Sequence, residues 1–189
     1  MLKPVRTVAP AALLTVAEVK AQARIDGSGE DAFLATLIDA VTATLDGPDG
    51  ILGLALVTQT WTQSLGGFAD VLRLPLAPVQ SAAVSYLDAD NDAQALAAAY
   101  RLHTDAQGAY LRRIEGAQFP AVAARDDAVT ITMVCGYGAP AAVPSDIKQA
   151  ALLMVAHLYE HREAVGPMLF HEIPMGARWL LERHRRIGV

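Results

Sequence analysis

Apolar side chains recur at helical spacing through the first part of the chain. Thr15, followed three residues later by Glu18, has the pattern of a capping box and predicts a short helix that runs to about Ile25. A second helix is predicted from an apolar stripe at intervals of three and four, formed by Phe33, Leu34, Leu37, Ile38, Val41 and Leu45. The two helices end at the turn sequences DGSGED (26–31) and DGPDG (46–50).

The period of the pattern then changes to two. In the segment 57–65, Trp61 and Leu65 share one face and threonine and serine residues occupy the other, which is typical of a strand. Further strands are predicted at 71–79, 82–87, 100–104, 110–114 and 129–135. The first of these is expected at a sheet edge, because Pro75 and Pro78 have no backbone N–H to donate. The spacing of the strands predicts a small antiparallel sheet or barrel.

A helical pattern returns after the strands. Ser145 is the predicted N-cap, Asp146 lies in the first turn, and the helix is expected to run to about Glu163. A loop with proline and glycine at both ends follows at 165–176, and a short last helix or arm is predicted at 177–186.

The order helices, strands, helices predicts an α+β fold in which a helical frame carries an antiparallel β-rich insertion. The 189 residues suit a single domain. Its predicted parts are the N-terminal helices (13–50), the β-rich insertion (55–136), the C-terminal helix (144–163), and a loop with a C-terminal arm (165–189). The longest uncharged stretch, 50–69, contains too many polar residues to span a membrane, so no membrane partner is expected.

Charged residues are scarce, at 19% of the chain against roughly 25% in ordinary soluble domains. Parts of the surface are therefore expected to be apolar or covered by partners. The net charge of −5 argues against a general nucleic-acid binder. Cys135 is the only cysteine and lies in an apolar run, which predicts a buried thiol in a reducing compartment. The apolar start of the chain is interrupted by Pro10, so export is not expected.

The segment HLYEH (157–161) has the spacing of an inverted zinc-peptidase motif. His157 and His161 would share a helical face, and Glu160 would act as general base for a metal-bound water. A packing interpretation competes with this one, because the two histidines flank a predicted apolar stripe made of Ile147, Ala151, Met154 and Leu158.

A catalytic zinc also needs a third protein ligand and an open position. The candidates that follow His161 are His171, Glu172, Glu182 and His184. Burial of the apolar stripe accounts for the helix without a metal. The sequence therefore predicts no metal site, no cofactor and no catalytic residue, and the two histidines are expected at the edge of a core or subunit contact.

Two further motifs resemble ligand sites in part. The segment DADND (88–92) has calcium-loop spacing, but Ala93 and Ala99 stand where a glycine and a bidentate glutamate are needed, so a hairpin turn is predicted. The segment GYGAP (136–140) lacks the third glycine and the Lys-Ser/Thr of a phosphate loop, so a turn that uses glycine's conformational freedom is predicted.

Several stretches, in this order, resemble the head–tail connector (adaptor) family of tailed bacteriophages and gene transfer agents. They are LTVAEVKAQARIDGSGEDAFLATLIDA (14–40), ALVTQTWTQSL (55–65), LRLPLAPVQSAAVSYLDAD (72–90) and VTITMVCGYGAPAAVPSDIKQAALLMVAHLYEHRE (129–163). The resemblance covers most of the chain from about 13 to 163, and none of these stretches is a catalytic motif. The chain departs from the family in the glycine-rich segment 45–56 and after Glu163.

The resemblance implies a structural protein of the virion neck, made in the bacterial host cytoplasm. Such adaptors form a ring, commonly of twelve copies, beneath the portal. The ring extends the DNA channel and joins the capsid to stopper or tail-terminator proteins. The implied partners are therefore other copies of the chain, the portal, a stopper or tail terminator, and DNA that passes without sequence-specific contact. The net negative charge suggests that this DNA does not adhere.

The C-terminal segment is the candidate portal-binding surface, since Trp and Arg are favoured anchors at interfaces. Its residues are Arg178, Trp179, Leu180, Leu181, Arg183, His184, Arg185 and Arg186. Deletion of 177–189 is expected to abolish attachment and leave the fold intact. Weak phosphate binding and a solvated terminus are alternatives for this basic end. For the whole chain, the alternatives are a zinc hydrolase that uses His157, Glu160 and His161, or another neck component such as a stopper or tail terminator.

Overall fold

The computed structural model describes residues 2–162 and 174–186. These residues form two compact units. The β unit comprises the described parts of Met1–Pro10 and Thr58–Tyr137, and the helical unit comprises those of Ala11–Val57 and Gly138–Arg186. The α+β fold class is confirmed, and every strand pairing in the β unit is antiparallel. None of the helices in the described ranges is long and apolar enough to cross a membrane.

The helical unit contains four α-helices. They are α1 (Val16–Ala23), α2 (Asp31–Leu45), α3 (Ser145–Glu160) and α4 (Met175–Glu182). The predicted capping box is present at α1, where the Glu18 backbone N–H donates to the Thr15 hydroxyl at 3.2 Å and the Thr15 N–H donates to the Glu18 carboxylate at 2.7 Å. The predicted stripe of α2 is buried at Leu34, Ile38, Val41 and Leu45. Leu37 is half-buried, and Phe33, which was also expected in the stripe, is 36% exposed.

Helix α3 differs from its prediction at both ends. Ser145 is the first helical residue and not the N-cap, which is Pro144, and no side chain caps the helix. The helix ends at Glu160, earlier than predicted, and Glu163 lies outside the described residues. Leu158 was expected to be buried but is 40% exposed. It lies on the apolar face, but in the terminal turn, beyond the last buried residue, Val155.

The β unit contains eight strands in two sheets. The strands are β1 (Val5–Val8), β2 (Gln59–Leu65), β3 (Val71–Arg73), β4 (Val79–Leu87), β5 (Ala93–Ala95), β6 (Tyr100–Asp105), β7 (Gly108–Arg113) and β8 (Val129–Cys135). A five-stranded sheet has the order β1-β2-β8-β4-β5, and a three-stranded sheet has the order β3-β7-β6. The central strand β8 pairs Met133 with Trp61 of β2 and with Ala82 of β4.

Buried and half-buried residues alternate strictly along β2 and β8, and the buried ones form the core of the larger sheet. Cys135 belongs to this core, as predicted, and burial raises the pKa of its thiol to about 12. The thiol is therefore protonated near neutral pH and is a poor nucleophile.

Three features of the β unit differ from the sequence prediction. Strand β1 is fully exposed on one edge and β5 is a short run with two alanines, so neither has the alternation of a half-buried strand. The extended segment 71–79 does not form one strand. It divides into β3, an edge strand of the smaller sheet, and the start of β4. Pro75 and Pro78 lie in the connection between these two strands.

Both predicted turns are confirmed. In the turn 88–92, the Asp88 carboxylate accepts the backbone N–H groups of Asp90 and Asp92, each at 3.0 Å. After β8, Gly136 and Gly138 have φ angles of 118° and 129°, a region that side-chain-bearing residues rarely adopt.

Acid should weaken the contact between α1 and α3. The Lys148 ammonium, 2.8 Å from Glu18, and the Thr15 N–H lower the pKa of Glu18 to about 2 from an ordinary value of 4.5. The folded pKa is depressed, so this stabilisation is present above pH 4.5 and is lost as the pH falls toward 2. We expect Glu18→Gln to lower the free energy of unfolding at pH 7 by about 0.5–1 kcal/mol, because solvent exposure limits the strength of the ion pair. At pH 3 the same substitution should lower the free energy of unfolding by less.

Urea unfolding at the two pH values measures this difference. Asp39→Asn is the matched control, because Asp39 is exposed on α2 and makes no ion pair with the described residues. An equal loss for Glu18→Gln at both pH values would contradict the assignment.

Candidate partner-binding surface

Helix α4 is held against the rest of the helical unit by one face. Ala177 and Leu181, four residues apart, are buried, and α4 packs on α3. The helix is preceded by Pro174, whose ring favours a helix start. Helix α4 begins two residues before the start of the predicted segment 177–186 and ends four residues before its end. Arg183 is its C-cap, and the described residues that follow are not helical.

The opposite face of α4 presents large apolar side chains to solvent. Met175 is 87% exposed and Trp179 is 74% exposed. Arg178 and Arg183 are exposed beside them, and Arg178 lies 3.5 Å from Glu182, one turn on. Since exposed tryptophan and arginine together are typical of interface anchors, this face is suited to a protein partner.

Three contacts fix the chain after α4, and in one of them the Arg183 guanidinium lies 3.6 Å from the Asp146 carboxylate. The His184 ring lies 2.7 Å from the Asp146 carboxylate, and this hydrogen bond lowers the pKa of Asp146. The Arg186 backbone N–H donates to the Leu52 carbonyl at 3.0 Å, and burial lowers the pKa of the Arg186 guanidinium. The arm is therefore attached to α3 and to the glycine-rich segment that follows α2.

The eight residues of the candidate portal-binding surface thus divide into two groups. Four are exposed to solvent: Arg178, Trp179, Arg183 and Arg185. Four are wholly or partly buried within the helical unit: Leu180, Leu181, His184 and Arg186. Sequence reasoning missed Met175, because it placed the helix start at 177. The proposed deletion of 177–189 would also remove buried residues, so point substitutions on the exposed face test the surface more directly.

The zinc-like motif lies at the end of α3. The His157 and His161 rings are 4.5 Å apart, and the His161 ring nitrogen lies 3.0 Å from the His157 carbonyl. Glu160 is exposed. Of the candidate third ligands, His184 is bonded to Asp146 and Glu182 lies near Arg178, while His171 and Glu172 are outside the described residues. Within the described ranges, no group of three or more His, Cys, Asp or Glu residues is placed to hold a metal ion.

The chain is similar over its whole length to solved structures from gene transfer agent (GTA) particles. One is a chain from the neck of an empty GTA particle computed with C6 symmetry, with 28% sequence identity, a TM-score of 0.80, and coverage of 100% of this chain and 97% of that chain. A chain of the virion of a native GTA particle has 28% identity, a TM-score of 0.79 and the same coverage.

A third chain is from the neck of a native GTA particle computed with C12 symmetry, with 26% identity and a TM-score of 0.74. It is also matched over 100% of this chain and 97% of its own length. No protein-family model and no curated protein matches the chain.

The two faces of α4 should respond differently to truncation. Leu181→Ala leaves a cavity under the helix and is expected to lower the free energy of unfolding by about 2–5 kcal/mol. Trp179→Ala removes a solvent-exposed ring and should change it by no more than about 0.5 kcal/mol. Urea unfolding of both variants checks this contrast, and a large loss for Trp179→Ala would show that its side chain is part of the core.

Proposed function

We propose that the chain is a structural head–tail adaptor of the virion neck. It forms a ring below the portal, extends the DNA channel, and joins the capsid to a stopper or tail protein. The observation that carries this proposal is the match to neck chains over 100% of this chain and 97% of each of those chains, at 26–28% identity. A match of that extent includes both the β unit and the helical unit, so it does not rest on one common substructure.

Self-association into a ring agrees with the surface of the chain. The neck structures that it resembles were computed with C6 and C12 symmetry. In a ring, one surface of each subunit meets a different surface of the next, so every copy needs two complementary surfaces. Large hydrophobic side chains are exposed on both units, including Val5 and Val8 in the β unit and Met175 and Trp179 in the helical unit.

The exposed face of α4 is the portal contact in this proposal. Trp179 supplies a large ring that loses little conformational entropy on binding, and Met175 adapts to the shape of a pocket. Arg178 and Arg183 flank them and add directional hydrogen bonds to carbonyl or carboxylate groups. Because Ala177 and Leu181 anchor the opposite face, these side chains are presented from an ordered helix.

Attachment to the portal protein of the same particle tests the proposal. Trp179→Ala should weaken binding by about 2 kcal/mol or more, roughly 30-fold. The matched control is Leu158→Ala, which removes an exposed apolar side chain from the end of α3 and should leave portal binding unchanged. Binding can be measured by titration of labelled variants onto purified portal.

Wild-type protein that neither binds portal nor occurs in assembled necks would overturn the adaptor proposal. If the wild-type protein lies in the neck on the tail side of another ring, it is a stopper or tail terminator and not the adaptor. Gold-labelled subunits in electron micrographs of particles separate these outcomes.

A further inference from the structure

Two arginines lie directly opposite each other on the smaller sheet of the β unit. Arg101 of β6 pairs with Arg112 of β7 in the antiparallel register, and both side chains are exposed. Side chains at directly paired positions are roughly 5 Å apart at their Cβ atoms, and like charges there destabilise a sheet. The pairing of two arginines does not stabilise the sheet itself, and an anionic partner that binds both would remove the repulsion between them.

Neighbouring arginines already have their counter-ions. Arg73 lies 2.7 Å from Asp105, and Arg113 lies 2.7 Å from Asp70. No described carboxylate makes an ion pair with Arg101 or Arg112.

Arg101 and Arg112 line an open cavity of about 520 Å³. Glu115 also lines it, as does the Asp70–Arg113 ion pair. With that pair neutral, two arginines face one remaining carboxylate, so the cavity keeps a net positive charge that attracts carboxylates.

The complementary charge is present elsewhere in the β unit. In the turn 88–92, the Asp88 carboxylate is occupied by backbone N–H groups and by the Gln94 amide at 3.0 Å. Asp90 and Asp92 are exposed, and neither makes an ion pair with a described residue. The hydrogen bonds of Asp88 hold the turn in one conformation, so the two free carboxylates are presented together.

We propose that Asp90 and Asp92 of one copy bind Arg101 and Arg112 of the next copy in the ring. The inference rests on the proposed function, since it supplies a contact for that ring. Each copy has one arginine pair and one aspartate pair, and they do not bind each other within a copy. The two pairs therefore suit a heterologous interface, in which one surface of each copy contacts a different surface of the next copy around a closed ring.

A second copy suits the arginine pair better than DNA does. The chain carries a net charge of −5, which opposes adhesion to DNA phosphates. Two arginines can neutralise only a few phosphates, and so few contacts give weak, salt-sensitive binding to DNA. A turn that carries two aspartates offers one carboxylate to each guanidinium, and such pairs set the partner and the register of an interface.

Charge reversal tests the contact in both directions. Arg101→Glu/Arg112→Glu and Asp90→Lys/Asp92→Lys each place like charges across the interface, so each variant alone is expected to lose ring assembly at least tenfold. An equimolar mixture of the two should restore rings, because alternating copies then pair lysine with glutamate and aspartate with arginine. The chain that carries all four substitutions should also assemble. Assembly on purified portal is measured by native mass spectrometry, and circular dichroism checks that each variant folds.

Net charge has its own control. Arg101→Glu/Arg112→Glu combined with Asp26→Lys/Asp39→Lys has the same net charge as the fourfold swap, but its lysines lie at exposed positions of the helical unit. This variant should stay unassembled. If it assembles, net charge and not the paired contact controls the ring, and the inference is wrong.

The remaining outcomes are distinct. Normal assembly of both double variants overturns the inference and leaves the adaptor proposal standing. Failure of the wild-type chain to join portal or neck overturns the adaptor proposal itself. Loss of duplex-DNA binding in the Arg101→Glu/Arg112→Glu variant, with no rescue by the mixture, would assign the arginines to DNA and also overturn the inference.

Discussion

Burial of α3 is the interaction on which the helical unit depends. Ile147, Ala150, Ala151 and Val155 are fully buried, and α3 contacts each of the other three helices. Two of these residues are alanines, whose small side chains allow close approach of neighbouring helices. The same helix supplies Asp146 and Lys148, which bind His184 and Glu18. Because α4 and the arm are fixed by these contacts, the orientation of Trp179 follows from the packing of α3.

The two proposed interaction surfaces use different physical chemistry. The α4 face presents an exposed tryptophan and methionine, whose burial against a partner releases water from apolar surface. The arginine pair on the smaller sheet is electrostatic, and its binding depends on a complementary charge and on ionic strength. Neither surface involves the Cys135 thiol, which is buried in the larger sheet with its pKa raised to about 12.

Local patterns in the sequence predicted most elements of the fold. The capping box of Thr15 and Glu18, the stripe of α2, the alternation of β2 and the turn at Asp88 each have a short-range physical cause, and each is confirmed. Strands β1 and β5 were missed because they have no apolar alternation, and only pairing with a neighbouring strand makes them strands. The buried half of the candidate surface was missed for a similar reason. The burial of Leu181 and the His184–Asp146 contact depend on tertiary packing that sequence spacing does not record.

A cryo-EM map of the neck of the assembled particle tests the central claim most directly. The account predicts a ring of copies of this chain next to the portal, with Trp179 at the portal contact and Arg101 and Arg112 facing the 88–92 turn of the adjacent copy. A neck that lacks the chain would contradict the account, as would a purified protein that binds stoichiometric zinc and loses a hydrolytic activity on substitution of Glu160.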